Sequence, residues 1–127
     1  MKAIVKRCVK QSYEIAKRLF EQAAQQGDVG AMYDLGVMYA HGEGVEQSYE
    51  KAVEYYDQAA QLGHASAQYN LGLMYATGQG VTKDESEAKK WWTASAAQGF
   101  EKVIKNLKIL EKEMKKNITK NATKNTK

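Results

Sequence analysis

A chain of 127 residues has enough material for one self-sufficient core, and its lack of proline and wealth of Ala, Gln, Glu, Lys, Leu and Tyr speak against sandwiches and barrels, which need many turn residues. The formal charge of +4 is unevenly spread, basic over residues 1–18 and 101–127 and acidic between them, so basicity alone does not identify a nucleic-acid binder. One cysteine, Cys8, excludes an intramolecular disulfide and suits a reducing compartment.

At the N-terminus, Val5, Val9, Ser12, Ala16, Leu19 and Ala23 recur by fours and threes, which predicts one long helix over about residues 3–26. Lys6, Arg7 and Lys10 break any apolar run that a secretory leader would need. No stretch approaches the ~20 apolar residues of a membrane span. A cytoplasmic protein is therefore expected, with secretion by a leaderless route left open. Cys8, taken alone, is expected to be a small buried apolar residue.

Residues 28–63 repeat as residues 64–99 at a constant offset, pairing Ala31 with Ala67, Tyr33 with Tyr69, Leu35 with Leu71, Gly36 with Gly72, Tyr39 with Tyr75 and Gly63 with Gly99. Half a unit precedes them, because Gln11-Ser12-Tyr13-Glu14 returns as Gln47-Ser48-Tyr49-Glu50. Within a unit, Met32, Leu35, Gly36 and Tyr39 lie at i, i+3, i+4 and i+7, the face of a first helix, A, ending at Gly42. Tyr49, Ala52, Val53, Tyr56 and Ala60 mark a second, B, closed by Gly63. The small residues Gly36 and Ala52 let helices approach while Tyr39 and Tyr56 fill the space between. Ser48, and Asp84 with Glu87, are expected N-caps of the B helices. The connectors Gly42-Glu43-Gly44-Val45 and Gly78-Gln79-Gly80-Val81 offer glycines for positive φ and a valine to turn back into the core. They lack the third glycine and preceding strand of a phosphate-binding loop.

The pattern Ala-x-Tyr-x-Leu-Gly-x-Met-Tyr-x-x-Gly-x-Gly-Val, followed by Ala-x-x and two aromatics, resembles the Sel-1-like repeat, a relative of the tetratricopeptide repeat, over roughly residues 10–100. In the second unit Trp91, Trp92 and Ser95 replace Tyr55, Tyr56 and Ala59, so a bulkier B helix is expected there. The resemblance implies an all-α fold, an α/α right-handed superhelix of helix pairs. The expected organisation is a solenoid over residues 1–116: a half repeat (1–27), two repeats (28–63 and 64–99) and a capping helix (100–116). An unstructured Lys/Asn/Thr-rich tail, 117–127, is expected to follow.

In the cap, Val103, Leu107, Leu110 and Met114 are spaced by four, three and four among lysines, giving the polar outer face that a solenoid end requires. By resemblance, the A helices line a concave face where a ligand lies. That face would carry Tyr33, Asp34, Val37 and His41, then Tyr69, Asn70, Leu73 and Thr77, then Lys105, Asn106 and Ile109. The open N-terminal end is the other candidate contact surface, for a partner or for a homodimer. Its residues are Ile4, Val5, Val9, Leu19 and Phe20, with no upstream helix A to cover them. The competing expectation is that this helix folds its apolar side against the first full repeat.

Chemistry is sparsely supplied. His41 and His64 are the only histidines and neither recurs between units, so both are expected at the surface. One cysteine and scattered carboxylates spell no metal site, and neither catalytic residues nor a cofactor nor a small-molecule substrate are expected. The Tyr/Trp stripe fits a core better than a base-stacking platform. The expected function is a protein- or peptide-binding adaptor or complex subunit. The resemblance also admits a bacterial effector or a toxin-neutralising protein. From other classes come a hydrolase of β-lactamase type and nucleic-acid binding through the basic ends, both disfavoured.

Overall fold

The computed structural model describes residues 2–99 and 101–125, with side chains over 7–99 and 104–118. Six helices follow one another: α1 (Lys2–Gln25), α2 (Val29–His41), α3 (Tyr49–Gln61), α4 (Ala65–Thr77), α5 (Glu85–Ala96) and α6 (Glu101–Asn125). No strand occurs among the described residues. Each helix packs on the next along the chain, so α2 with α3 and α4 with α5 form the two A/B pairs, α1 is a lone B helix and α6 a lone A helix.

Local chemistry fixes the helix ends. Ser48 Oγ accepts from Lys51 N at 3.2 Å, and Asp84 Oδ1 accepts from Ser86 N and Glu87 N at 3.0 and 3.2 Å, as the capping pattern predicts. The A helices are capped at one shared position by different residues: Asp28 Oδ1 accepts from Ala31 N and His64 Nδ1 from Ala67 N, both at 3.1 Å. His64 is therefore half-buried structure rather than loose surface. At the other end Gly42 and Gly78 adopt φ of 70° and 75°, and each N–H bonds back into the last turn.

The core is built on size complementarity. Leu35 and Leu71 are fully buried, as are Ala52 and Ala88. A Cβ placed on Gly36 would lie 2.6 Å from the Tyr56 ring, and one on Gly72 would overlap the Trp92 indole, so glycine is what lets each pair close. Val45 and Val81 pack against the core as expected. Side chains from one unit also bond the backbone joining the two pairs: Gln68 Nε2 donates to Ala60 O at 3.1 Å, and Ser95 Oγ donates to Ala65 O at 2.8 Å. Trp91 and Trp92 are both buried. Trp92 Nε1 donates to Tyr69 O at 3.0 Å, while Trp91 Nε1 has no partner among the described residues.

Two sequence expectations are corrected. Cys8 is exposed, because no helix among the described residues covers that side of α1. The expected unstructured tail is helical through Asn125; neither glycine nor proline interrupts the chain after Gly99, so α6 has no stop signal at residue 116. Within α6, Leu110 is buried against Ala88 and Trp92, with Leu107 and Met114 beside it, while Lys105, Lys108 and Lys112 are exposed. Lys108 stands where Gly36 and Gly72 stand in the A helices. A long side chain there does not leave the space that Gly36 and Gly72 leave for the aromatic rings of their B helices. No described helix is long and apolar enough to cross a membrane.

Candidate partner-binding groove

The helix-A register places Tyr33, Asp34, Val37 and His41 on α2 and Tyr69, Asn70, Leu73 and Thr77 on α4, with Lys105, Asn106 and Ile109 on α6. Their contacts divide them into two clusters. Between α2 and α4, Tyr33 stacks on His64 with ring centroids 4.6 Å apart and planes 21° apart, and it approaches Tyr56 at 5.8 Å. Asn70 is close enough to the Tyr56 hydroxyl to lower its pKa. Asp34 sits half-buried in the same cluster. Burial lifts its carboxyl above the usual range, nearby His64 pulls it down and Asp28 raises it again.

Between α4 and α6, Asn106 Nδ2 donates to Tyr69 Oη at 3.1 Å, and the Tyr69 ring stacks on Trp92 at 6.4 Å. Beside this pair lies a cleft of about 240 Å³ whose wall includes Leu73, Thr77, Asn106 and Ile109, with Trp92 and Leu110 contributing apolar surface. Lys83, Glu85 and Glu113 supply charge around it. Four residues chosen from sequence register thus line one cleft. Lys105 is exposed and does not line it. Thr77 and His41 both turn back onto their own helices, Thr77 Oγ1 donating to Leu73 O at 2.8 Å and His41 Nδ1 lying 3.0 Å from Val37 O. His41 Nδ1 is also 3.9 Å from Glu43, and both histidines therefore have structural contacts. No group of three or more potential metal ligands occurs among the described residues.

Tyr56 supplies a pH signature of the α2–α4 cluster. Burial, with a smaller contribution from Tyr33, pushes its hydroxyl up to about 12, against the lowering effect of the neighbouring Asn70 amide. The folded value lies above the unfolded one, so this contribution to stability is intact below pH ~10 and is lost as pH rises towards about 12. Denaturant titration should show Tyr56→Phe losing about 2–3 kcal/mol less than the parent between neutral pH and pH ~12. An equal loss in both proteins would remove Tyr56 as the cause.

At the N-terminal end, Val9 and Leu19 are exposed and Phe20 is half-buried; the side chains of Ile4 and Val5 lie outside the described residues. His64, expected at the surface, instead joins the α2–α4 cluster. The available signal was its alignment with Asp28, immediately before the first turn of each A helix.

An array of A/B helix pairs, with an apolar cleft and a polar-aromatic cluster on the A helices, defines a solenoid repeat protein of the scaffold class. The chain belongs to the Sel1 repeat family, generally protein-interaction scaffolds, whose repeat matches residues 7–28, 29–64 and 65–100. It is similar to a Sel1 repeat protein from Oxalobacter formigenes, at 43% identity and a TM-score of 0.70 over 72% of this chain and 68% of the other. Helicobacter pylori cysteine rich protein B is similar at 26% identity and a TM-score of 0.69, with the same coverage. A protective antigen of uropathogenic Escherichia coli with an SLR fold is 48% identical over 64% of this chain, with a TM-score of 0.63. The match spans only 17% of that antigen's length. Among curated proteins, none matches the chain.

Proposed function

We propose that the chain is an interaction module whose helix-A face, the concave side of the superhelix, binds a segment of another protein. The observation that carries this reading is the α4–α6 cleft, where an apolar wall meets the polar groups of Thr77 and Asn106. Such a surface suits one apolar anchor side chain held in register by hydrogen bonds. Asp34 adds a preference for a basic residue: it is half-buried, and no Lys or Arg among the described residues forms an ion pair with it. Both histidines already have structural contacts, which favours binding over catalysis. Adaptor, effector and toxin-neutralising roles would differ in the partner, not in this surface.

The test is a peptide library selected against the full chain, followed by affinity measurement with single variants. Ile109 is 58% exposed, so Ile109→Lys should leave the fold intact and weaken the selected peptides about tenfold. Asp34→Asn should weaken those carrying Lys or Arg and should not lower stability at neutral pH. The sign follows from burial: the folded carboxyl value is raised, so Asp34's contribution is fully present below the ordinary carboxylate range and is lost as pH rises through the folded value. Asn70 shows that the fold accepts asparagine at this register. Peptides indifferent to both changes would overturn the groove reading.

A further inference from the structure

The N-terminal helix α1 carries the same register as α3 and α5, and those two helices show what covers a helix of this type. Ile15, Ala16, Leu19 and Phe20 in α1 align with Lys51, Ala52, Tyr55 and Tyr56 in α3, and with Glu87, Ala88, Trp91 and Trp92 in α5. In α3 the Tyr55 ring stacks on Tyr39 of the A helix at 5.7 Å and 12°. Lys51 Nζ lies over that same Tyr39 ring at 5.3 Å, and Tyr56 fills the space left by Gly36. In α5, Trp92 fills the space left by Gly72 in the same way. An A helix thus presents glycine to the second aromatic position of its B helix, and Tyr39, three residues after Gly36, to the first.

On α1 the corresponding positions have no A helix among the described residues. Ile15 is 57% exposed and Leu19 59%, whereas Trp91 and Trp92 are 6% and 5% exposed. Phe20 is half-buried and so already partly covered, while the exposed Ile15 and Leu19 are flanked by exposed Arg18.

We propose that this face of α1 docks an amphipathic helix from outside the described residues, one that sets a glycine over Phe20 and an aromatic ring three residues later over Ile15 and Leu19. On α1 the exposed cations Arg7, Lys10 and Arg18 outnumber the exposed acid Glu14, which favours an acidic helix. A second copy of the chain is a poor source. Its Gly36 and Gly72 are already covered, and its free A helix α6 carries Lys108 at that register. The site is separate from the groove, so either proposal can fail without the other.

The probe is a labelled peptide of residues 28–42, which contains Gly36 and Tyr39 together with Asp28 and Asp34, titrated into the full chain. Saturable binding is expected. Leu19→Lys or Ile15→Lys in the protein should weaken it about tenfold or more, and both sites are exposed, so thermal unfolding should be unchanged. The peptide carrying Gly36→Ile should not bind measurably. Ile109→Lys in the protein should leave affinity unchanged. Binding that survives both lysine variants, or tolerates Gly36→Ile, or falls with Ile109→Lys, overturns the assignment. So does sedimentation showing a dimer of the parent that Leu19→Lys converts to monomer, because the face would then be occupied by a second copy.

Discussion

Replacing Gly72 by alanine, a change that ordinarily favours a helix by about 1 kcal/mol, is expected to destabilise this protein by about 2–4 kcal/mol. The added methyl would overlap the Trp92 indole. Moving the ring would break the hydrogen bond from Trp92 Nε1 to Tyr69 O and disturb the Tyr69–Trp92 stack. Overpacking of this kind costs about 1–3 kcal/mol, and an orphaned buried N–H a similar amount. For a chain of this size the midpoint should fall by roughly 10 °C. Trp92→Ala alone should cost about 3–5 kcal/mol by leaving a cavity. Because the methyl added at position 72 would project into that cavity, the double variant should be more stable than the sum of the two by at least about 1 kcal/mol. Strict additivity, measured by denaturant unfolding of all four proteins, would show that Gly72 and Trp92 do not share that space.

The second large effect belongs to the connector. Gly78 and Gly80 have nearly equal φ, 75° and 72°, so alanine meets a similar backbone cost of about 1–2 kcal/mol at either. Their surroundings differ. The nearest atom to a Cβ at Gly78 is Lys83 Cβ at 3.3 Å, whereas at Gly80 it is the backbone of the preceding B helix, Tyr49 O at 2.5 Å and Glu50 N at 2.9 Å. A contact of 3.3 Å is relieved by a shift of a few tenths of an ångström, whereas 2.5 Å to a helix backbone requires the main chain to move. Gly80→Ala should therefore cost about 3–4 kcal/mol in total, and Gly78→Ala only the conformational part. The excess at Gly80 measures how strongly the second connector holds the two repeats together. Equal losses would mean that it does not.

The glycines illustrate what one sequence conveys. Their periodicity, with the alternation of small and aromatic residues, was enough to place the pairs, the turns and the B-helix caps. Positive φ at the connector was legible too. The contact of Gly80 with Tyr49 was not, because nothing in a local pattern reports which distant backbone a turn will lean against. Cys8 differs from expectation for a related reason: a small apolar residue is buried only if something covers it, and no A helix among the described residues covers α1. The capping role of His64 is not legible in one sequence because capping depends on position, and an imidazole nitrogen can replace a carboxylate there without leaving a matching letter. The Lys/Asn/Thr-rich composition of residues 117–127 points to an unstructured tail, yet α6 runs to Asn125 because no residue there breaks the helix. On the helix-A face, register alone selected Leu73, Thr77, Asn106 and Ile109, which line one cleft. It could not foresee that His41 would turn back onto Val37 or that Lys105 would stand outside the cleft.

The most direct test of a binding role for the helix-A face is an NMR titration of the labelled full chain with the tightest peptide from the library. The account predicts that the perturbed amides cluster on α2, α4 and α6 around Asp34, Asn70, Leu73 and Asn106, and that Ile109→Lys suppresses the changes. Perturbations confined to α3 and α5, or unchanged by Ile109→Lys, would contradict it.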